Sequence, residues 1–411
     1  MKSKVIVLVI AVFLIIAAWS FTDSFVFYES SFHYEENPVL EAENPVEGVD
    51  EDLNNENVVI QRDPSAEFRF FYNQLNEEDR EIYQTLRDGL MVAEPSIRLD
   101  TDDIELVIDI FERVFWDYPE IFWATGAANT QLITRVVGQN HINFMPEYSH
   151  LGDAKVAMQL AIDERVDAFL ATIDEEMSDF EVVLAVYEYI ILTTSYNLNA
   201  PDHQNIVSVF INGESVCAGI SKAAQLLLNR LGIFATYVVG DAFVDGHNGP
   251  MPHAWNLVRV DGEYYHLDVT WGLPSFNEDN EMATQISILY DYFLLNDDLI
   301  ATTHQIRDGV VTPAATSLRN NFFVVNGMFY EAVDEAQLLT VLQASIEANQ
   351  ISTTFKFANA ELFEIARPLL LEELVFEAAT PRARELGLER IHFRFIPKEN
   401  LNMITIYWVW E

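Results

Sequence analysis

The sequence predicts an α+β fold in which helices pack on an antiparallel sheet. Three observations predict it. Apolar residues recur at helical spacing over residues 153–173, 178–193 and 217–231. A β-branched run at 234–239 follows the last of these directly. Two strand-like stretches, 252–260 and 263–271, then flank Asp261-Gly262, a pair that favours a tight hairpin.

The chain has 411 residues, enough for two or more domains. It carries 65 acidic against 23 basic residues, a formal charge of −42. That surface repels nucleic acid and anionic polymers, so no nucleic-acid partner is expected. Cys217 is the only cysteine, which excludes an intramolecular disulfide.

Taken in order, Met1-Lys-Ser-Lys precedes an uncharged apolar run over residues 5–21. This reads as an export signal, either retained as a membrane anchor (1–22) or cleaved. A retained anchor puts the remainder outside the cytoplasm. Residues 23–64 are rich in Glu, Asp, Asn and Pro and read as an acidic, disordered stalk. An N-terminal accessory domain is expected over 65–150. Its helices span 66–92 and 101–118, the second with Asp102 and Asp103 in its first turn, and a β-rich stretch covers 132–144. Trp116, Phe122 and Trp123 read as core aromatics.

The helix from Cys217 follows a loop of small and polar residues and stops at Gly232. Cys217 thus sits in a first helical turn, where unpaired amides and the helix dipole favour a thiolate. Ala218 and Gly219 leave room for another element to approach the sulfur. Two readings stand for Cys217 alone, a small buried hydrophobe or a nucleophile. Downstream residues favour the second. His253 and Asp268 lie at similar distances from the Asp261-Gly262 turn, so a hairpin brings them to the same end. Thiolate, imidazole and carboxylate together form a cysteine–histidine–acid triad. A loop at 241–252 delivers His253. On the 263–271 strand, Tyr264, His266, Asp268 and Thr270 share one face, and Tyr265, Leu267, Val269 and Trp271 the other. His266 reads as a partner of the site, a substrate contact or a surface histidine.

Val216-Cys-Ala-Gly before a Leu-rich helix, His253-Ala-Trp-Asn, and Tyr264-Tyr-His-Leu-Asp-Val-Thr-Trp together resemble the nucleophile, histidine and aspartate segments of the transglutaminase-like superfamily. Tyr187-Glu-Tyr-Ile, Thr194-Ser-Tyr-Asn and Asp117-Tyr-Pro-Glu-Ile-Phe-Trp resemble segments upstream of the cysteine in its bacterial members. The resemblance implies a papain/transglutaminase-like core over 151–312, with Cys217 as nucleophile, His253 as general base and acid, and Asp268 as its orienter. Two departures are Ile220, where bacterial relatives carry an aromatic residue, and Ile211, where a papain-like enzyme carries its oxyanion glutamine.

A zinc site among His247, His253, His266, Asp268 and Cys217 is the metal alternative, but no pair shows HxxxH or CxxC spacing. No metal and no cofactor are expected. Residues 320–411 read as a small α/β accessory domain. It has a hairpin at 322–330 around Asn326-Gly327, a helix at 334–349 and a strand at 352–357. A helix at 361–376 interrupted near Pro368 follows, then two closing strands at 391–395 and 403–410. Trp408 and Trp410 share a face of the last strand.

The expected function is a thioester-forming cysteine protease, amidase or acyltransferase acting on a protein or peptide, such as a cell-surface protein or a peptidoglycan peptide. The rival is a catalytically inactive surface module of the same fold.

Overall fold

The computed structural model describes residues 5–10, 34–36, 68–135, 137–244, 249–274, 288–387 and 392–409. Of the expected anchor, Val5–Ile10 is described, as strand β1; of the expected stalk, Tyr34–Glu36 is described, as β2. Their other residues lie outside the described set. Among the described residues no helix is long and apolar enough to cross a membrane.

The first helical region is two helices, α1 (Phe70–Gln74) and α2 (Glu77–Met91), rather than one. The chain extends at Leu75, and Asn76 caps α2 by accepting from the Asp79 amide at 2.9 Å. Strand β3 (Ile97–Leu99) leads to α3 (Ile104–Asp117), which is capped by Asp103. Strands β4 (Ala124–Ile133) and β5 (His141–Tyr148) pair antiparallel and complete a sheet of order β2-β1-β4-β5-β3.

Asp117 ties this region together. Its carboxylate accepts from the Phe71 amide (3.0 Å), the Tyr72 amide (2.9 Å) and the Tyr83 hydroxyl (2.7 Å). Burial pushes its carboxyl up to about 6 against these donors. The clamp fixes α1, whose Phe71 ring lies 4.8 Å from that of Trp116. Trp116, Phe122 and Trp123 are all core residues.

Helices α4 (Gly152–Leu170) and α5 (Asp179–Thr193) follow. A capping box between Ser178 and Glu181 opens α5. Short parallel strands β6 (Ser195–Tyr196) and β7 (Glu214–Ser215) bracket a loop that ends at α6 (Cys217–Arg230). The second sheet has order β10-β9-β8-β11, from β8 (Ala235–Ala242), β9 (Met251–Val260), β10 (Glu263–Leu267) and β11 (His304–Ile306). Strands β8 and β9 take in both ends of the expected 241–252 loop. The β9–β10 hairpin turns at Asp261-Gly262. Helix α6 packs on β8 and β9. Apolar residues from Ile82 to Leu294 form one continuous core, so the core does not break near residue 150.

The C-terminal unit has its own core beneath a sheet of order β12-β13-β15-β14. These are β12 (Phe329–Tyr330), β13 (Ser352–Phe357), β14 (His392–Lys398) and β15 (Met403–Val409). The expected hairpin at 322–330 is instead a short helix, Phe322–Val325, capped by Asn321. Gly327, at φ +69°, closes that helix rather than a strand turn. Near Pro368 the helix does not break; a wide turn at Leu369–Leu374 carries it on into Val375–Glu385. Trp408 is a core residue whose indole N–H donates to Thr353 Oγ1 at 3.1 Å. Trp410 lies outside the described residues.

Candidate active site

Cys217 is the first residue of α6. Val216 before it is extended and offers no side-chain cap. The first-turn amides therefore remain available to an anion at the sulfur. Cys217 packs among Phe71, Trp116, Tyr237, Val239 and Ala254 and is 1% exposed. The space expected over Gly219 is not beside the sulfur. A Cβ at Gly219 would collide with Ser208 Oγ, Ser215 Oγ and the His203 carbonyl, so this glycine lets the preceding loop close on the helix.

Strand β9 delivers His253 to that helix end. Two buried bonds fix the approach. Ser221, one turn after Cys217, donates its hydroxyl to the Ala254 carbonyl at 3.0 Å. Asn256 donates its amide to the Ser221 carbonyl at 3.0 Å and to the Thr236 carbonyl at 3.3 Å. The His-Ala-Trp-Asn string thus carries the imidazole and also holds its strand against α6.

Asp268 follows the end of β10. The strand does not run on to Trp271 as expected; residues 270–272 form a 3-10 turn. That turn brings the Trp271 amide to Asp268 Oδ1 at 3.1 Å. Asp268 Oδ2 accepts from His253 Nε2 at 2.7 Å. With Nε2 occupied by Asp268, Nδ1 is the His253 nitrogen left to interact with Cys217, which lies close enough to raise the imidazole. The structure therefore brings Cys217, His253 and Asp268 into one connected cluster. Burial disfavours a charged His253, but the Asp268 carboxylate and Cys217 outweigh it and push the imidazole up to about 10. Asp268 is fully buried, which works against its charge, yet His253 and His304 hold its carboxyl well below the usual range. The Tyr196 hydroxyl is pushed far up by burial and by the charges of Cys217 and Asp268.

His304, on β11, was not legible as a site residue. Its Nε2 lies 3.0 Å from the same Asp268 Oδ2. No motif marks it; it stands in a short edge strand far along the chain from Asp268. His266, in contrast, does not reach Asp268. It is fully buried, accepts from Trp255 Nε1 at its Nδ1 (3.0 Å) and meets Asp297 Oδ1 through its Nε2 (2.9 Å). The surface reading of His266 is thereby corrected. A cavity of about 590 Å³ is lined by Trp255, His266, Asp297 and His304 among others; neither Cys217 nor His253 lines it. His247 lies outside the described residues.

His253, Asp268 and His304 offer three donor atoms within 4.8 Å of one another, and this is the grouping among the described residues that could hold a metal. Ligands about 2.0 Å from a tetrahedral zinc ion stand roughly 3.3 Å apart. The 2.7 and 3.0 Å contacts are closer than that and are those of direct hydrogen bonds.

Residues 167–269 match the model of the transglutaminase-like superfamily. No curated protein matches the chain. Among solved structures, a TGase is 18% identical at a TM-score of 0.26, covering 37% of this chain and 45% of its own. A candidate cysteine protease from Cytophaga hutchinsonii is 15% identical at a TM-score of 0.24, covering 38% and 65%. A candidate protease from Parabacteroides distasonis is 11% identical at a TM-score of 0.21, covering 34% and 35%. The match spans less than two thirds of each of those chains. Cys217, His253 and Asp268 all lie inside residues 167–269, so the segment that matches the transglutaminase-like superfamily is the one that holds the candidate site, within an α+β core.

Proposed function

We propose that the protein is a thioester-forming cysteine enzyme acting on amide or peptide bonds. The observation that carries this is the grouping of Cys217, at an uncapped helix start, beside His253, which in turn is hydrogen-bonded to Asp268 at 2.7 Å. The Cys217 thiolate attacks the carbonyl carbon, forming an S–C bond. The first-turn amides of α6 receive the developing oxyanion. The C–N bond then breaks, and the His253 imidazolium gives its proton to the leaving amine. Asp268 fixes the imidazole tautomer and stabilises its charge. Water or a second amine, deprotonated by His253, attacks the thioester and releases Cys217. Hydrolysis and transfer share every step up to this one. Candidate substrates are surface proteins and peptidoglycan peptides.

At 1% exposure, Cys217 meets a carbonyl only when the elements around it part. Phe70, Tyr196, Leu198 and Val310 are the partly buried groups packed against its cluster. This burial is also the observation that favours the second reading, a binding module with an inert cysteine.

The extracytoplasmic, anchored location is part of the proposal and rests on Lys2 and Lys4 ahead of the apolar run. Val5–Ile10 pairs with Ala128–Ile133 in the first sheet, which competes with a membrane position for the same residues. Fractionation of expressing cells decides between them.

The test is the rate of iodoacetamide reaction at Cys217 against pH, with His253→Ala beside the wild type. Because Cys217 is the single cysteine, the reaction reads that residue alone. Fast reaction near about pH 6 that is lost in the variant supports the ion pair. Slow reaction at that pH in both proteins leaves the binding module.

A further inference from the structure

The geometry points to His304 as a positioning residue, whose Nε2–H holds the Asp268 carboxylate in the orientation that serves His253. The inference rests on the catalytic reading of Cys217 and His253 above and assigns a fourth member to that site.

Four observations support it. His304 Nε2 and His253 Nε2 share one oxygen, Asp268 Oδ2, at 3.0 and 2.7 Å. The other ring nitrogen, Nδ1, lies 2.8 Å from Thr303 Oγ1. A hydroxyl donating to Nδ1 selects the neutral tautomer with its proton on Nε2, the form that donates to a carboxylate. Both side chains are fully buried, so no water substitutes for either partner. His304 is also wedged by rings, with Trp271 at 4.7 Å and Trp255 at 5.0 Å between centroids.

The titratable groups facing His304 are His253 from β9, His266 and Asp268 from β10 and its end, and Tyr292 from the following segment. Burial holds the His304 imidazole below its usual range; hydrogen bonding and charge from Asp268 oppose this, while His253 and His266 add to it. A neutral donor suits the site. It stabilises the Asp268 anion without adding a second cation that would repel the His253 imidazolium.

The experiment uses the full chain with His304→Ala, His304→Phe and His304→Gln, and reads Cys217 alkylation against pH. Thermal unfolding of each variant reports folding. Gln places an N–H near the Nε2 position; Phe keeps the ring and removes the donor. Loss of one hydrogen bond to a buried anion predicts a fall of about tenfold or more near about pH 6 for Ala and Phe. The Gln variant is expected to stay within about threefold of wild type. Phe matching Gln, or all three matching wild type, overturns the inference. Ring ¹⁵N NMR of His304 in the wild-type protein gives an answer that needs no folded Ala or Phe variant. A neutral Nε2–H tautomer is expected, and a Nδ1–H tautomer or an imidazolium overturns it. The catalytic reading fails separately. In that case the wild type itself lacks His253-dependent reactivity, and the inference falls with it.

Discussion

Asn256 donates its side-chain amide to the backbone carbonyl of Ser221, joining the strand that carries His253 to the helix that carries Cys217. Asn256 is fully buried and also donates to the Thr236 carbonyl. Asn256→Ala leaves two buried carbonyls without this donor, at a cost of about 1–3 kcal/mol. Urea unfolding measures that cost. The same variant should slow Cys217 alkylation, because the His253 ring is no longer held over the helix start. Full reactivity in a destabilised Asn256→Ala protein would show that the staple supports the fold and not the site.

The His253–Asp268 pair predicts a pH dependence of stability. The folded value of His253 is raised to about 10 from 6.5, so its contribution is fully present below 6.5 and lost as pH rises through 10. Asp268 is held below its ordinary 3.8, so its contribution is present above 3.8 and lost only as pH falls far into acid. The stability gap between wild type and His253→Ala should therefore be wide at neutral pH and close above about pH 10. Urea unfolding across that range checks it; a gap that widens with alkali contradicts the pairing.

Phe71 belongs to the same buried cluster as Cys217 and is itself 1% exposed. Phe71→Ala should lower stability by about 3–5 kcal/mol. It should also quicken the reaction of Cys217 with a bulky maleimide relative to iodoacetamide, because the cavity opens beside the sulfur. An unchanged ratio of the two rates would move the entry route to the Tyr196 and Val310 side.

Ser178→Ala tests α5 apart from the chemistry. The substitution removes the side-chain half of the capping box, Ser178 Oγ accepting from the Glu181 amide, and leaves the residue 178 backbone N–H donating to the Glu181 carboxylate, at a cost of about 1 kcal/mol. Thermal unfolding should register the loss, while the pH profile of Cys217 alkylation stays at wild type.

Much of the site was readable in the sequence because its signals are local. A helix start, a strand and an Asp-Gly hairpin are each written in a few adjacent residues, and together they placed Cys217, His253 and Asp268 in one region. The hairpin at Asn326-Gly327 failed because Asn-Gly serves a helix end as readily as a strand turn. There the Asn321 cap decided for the helix. The single helix over 66–92 failed because Asn76, mid-pattern, caps a second one.

What the sequence determined by itself was the α+β alternation, the order of cysteine, histidine and acid, and the hairpin that joins the last two. These follow from periodicity and turn chemistry within short windows. What only the tertiary structure decided was everything held by contacts between distant segments. Folding sends His304 rather than His266 to Asp268, clamps α1 through Asp117, and packs Phe71 into the cluster that holds Cys217. A histidine reads the same in sequence whichever carboxylate it faces. Its partner is chosen by the packing of strands far apart in the chain, and burial then gives the choice its chemical consequence.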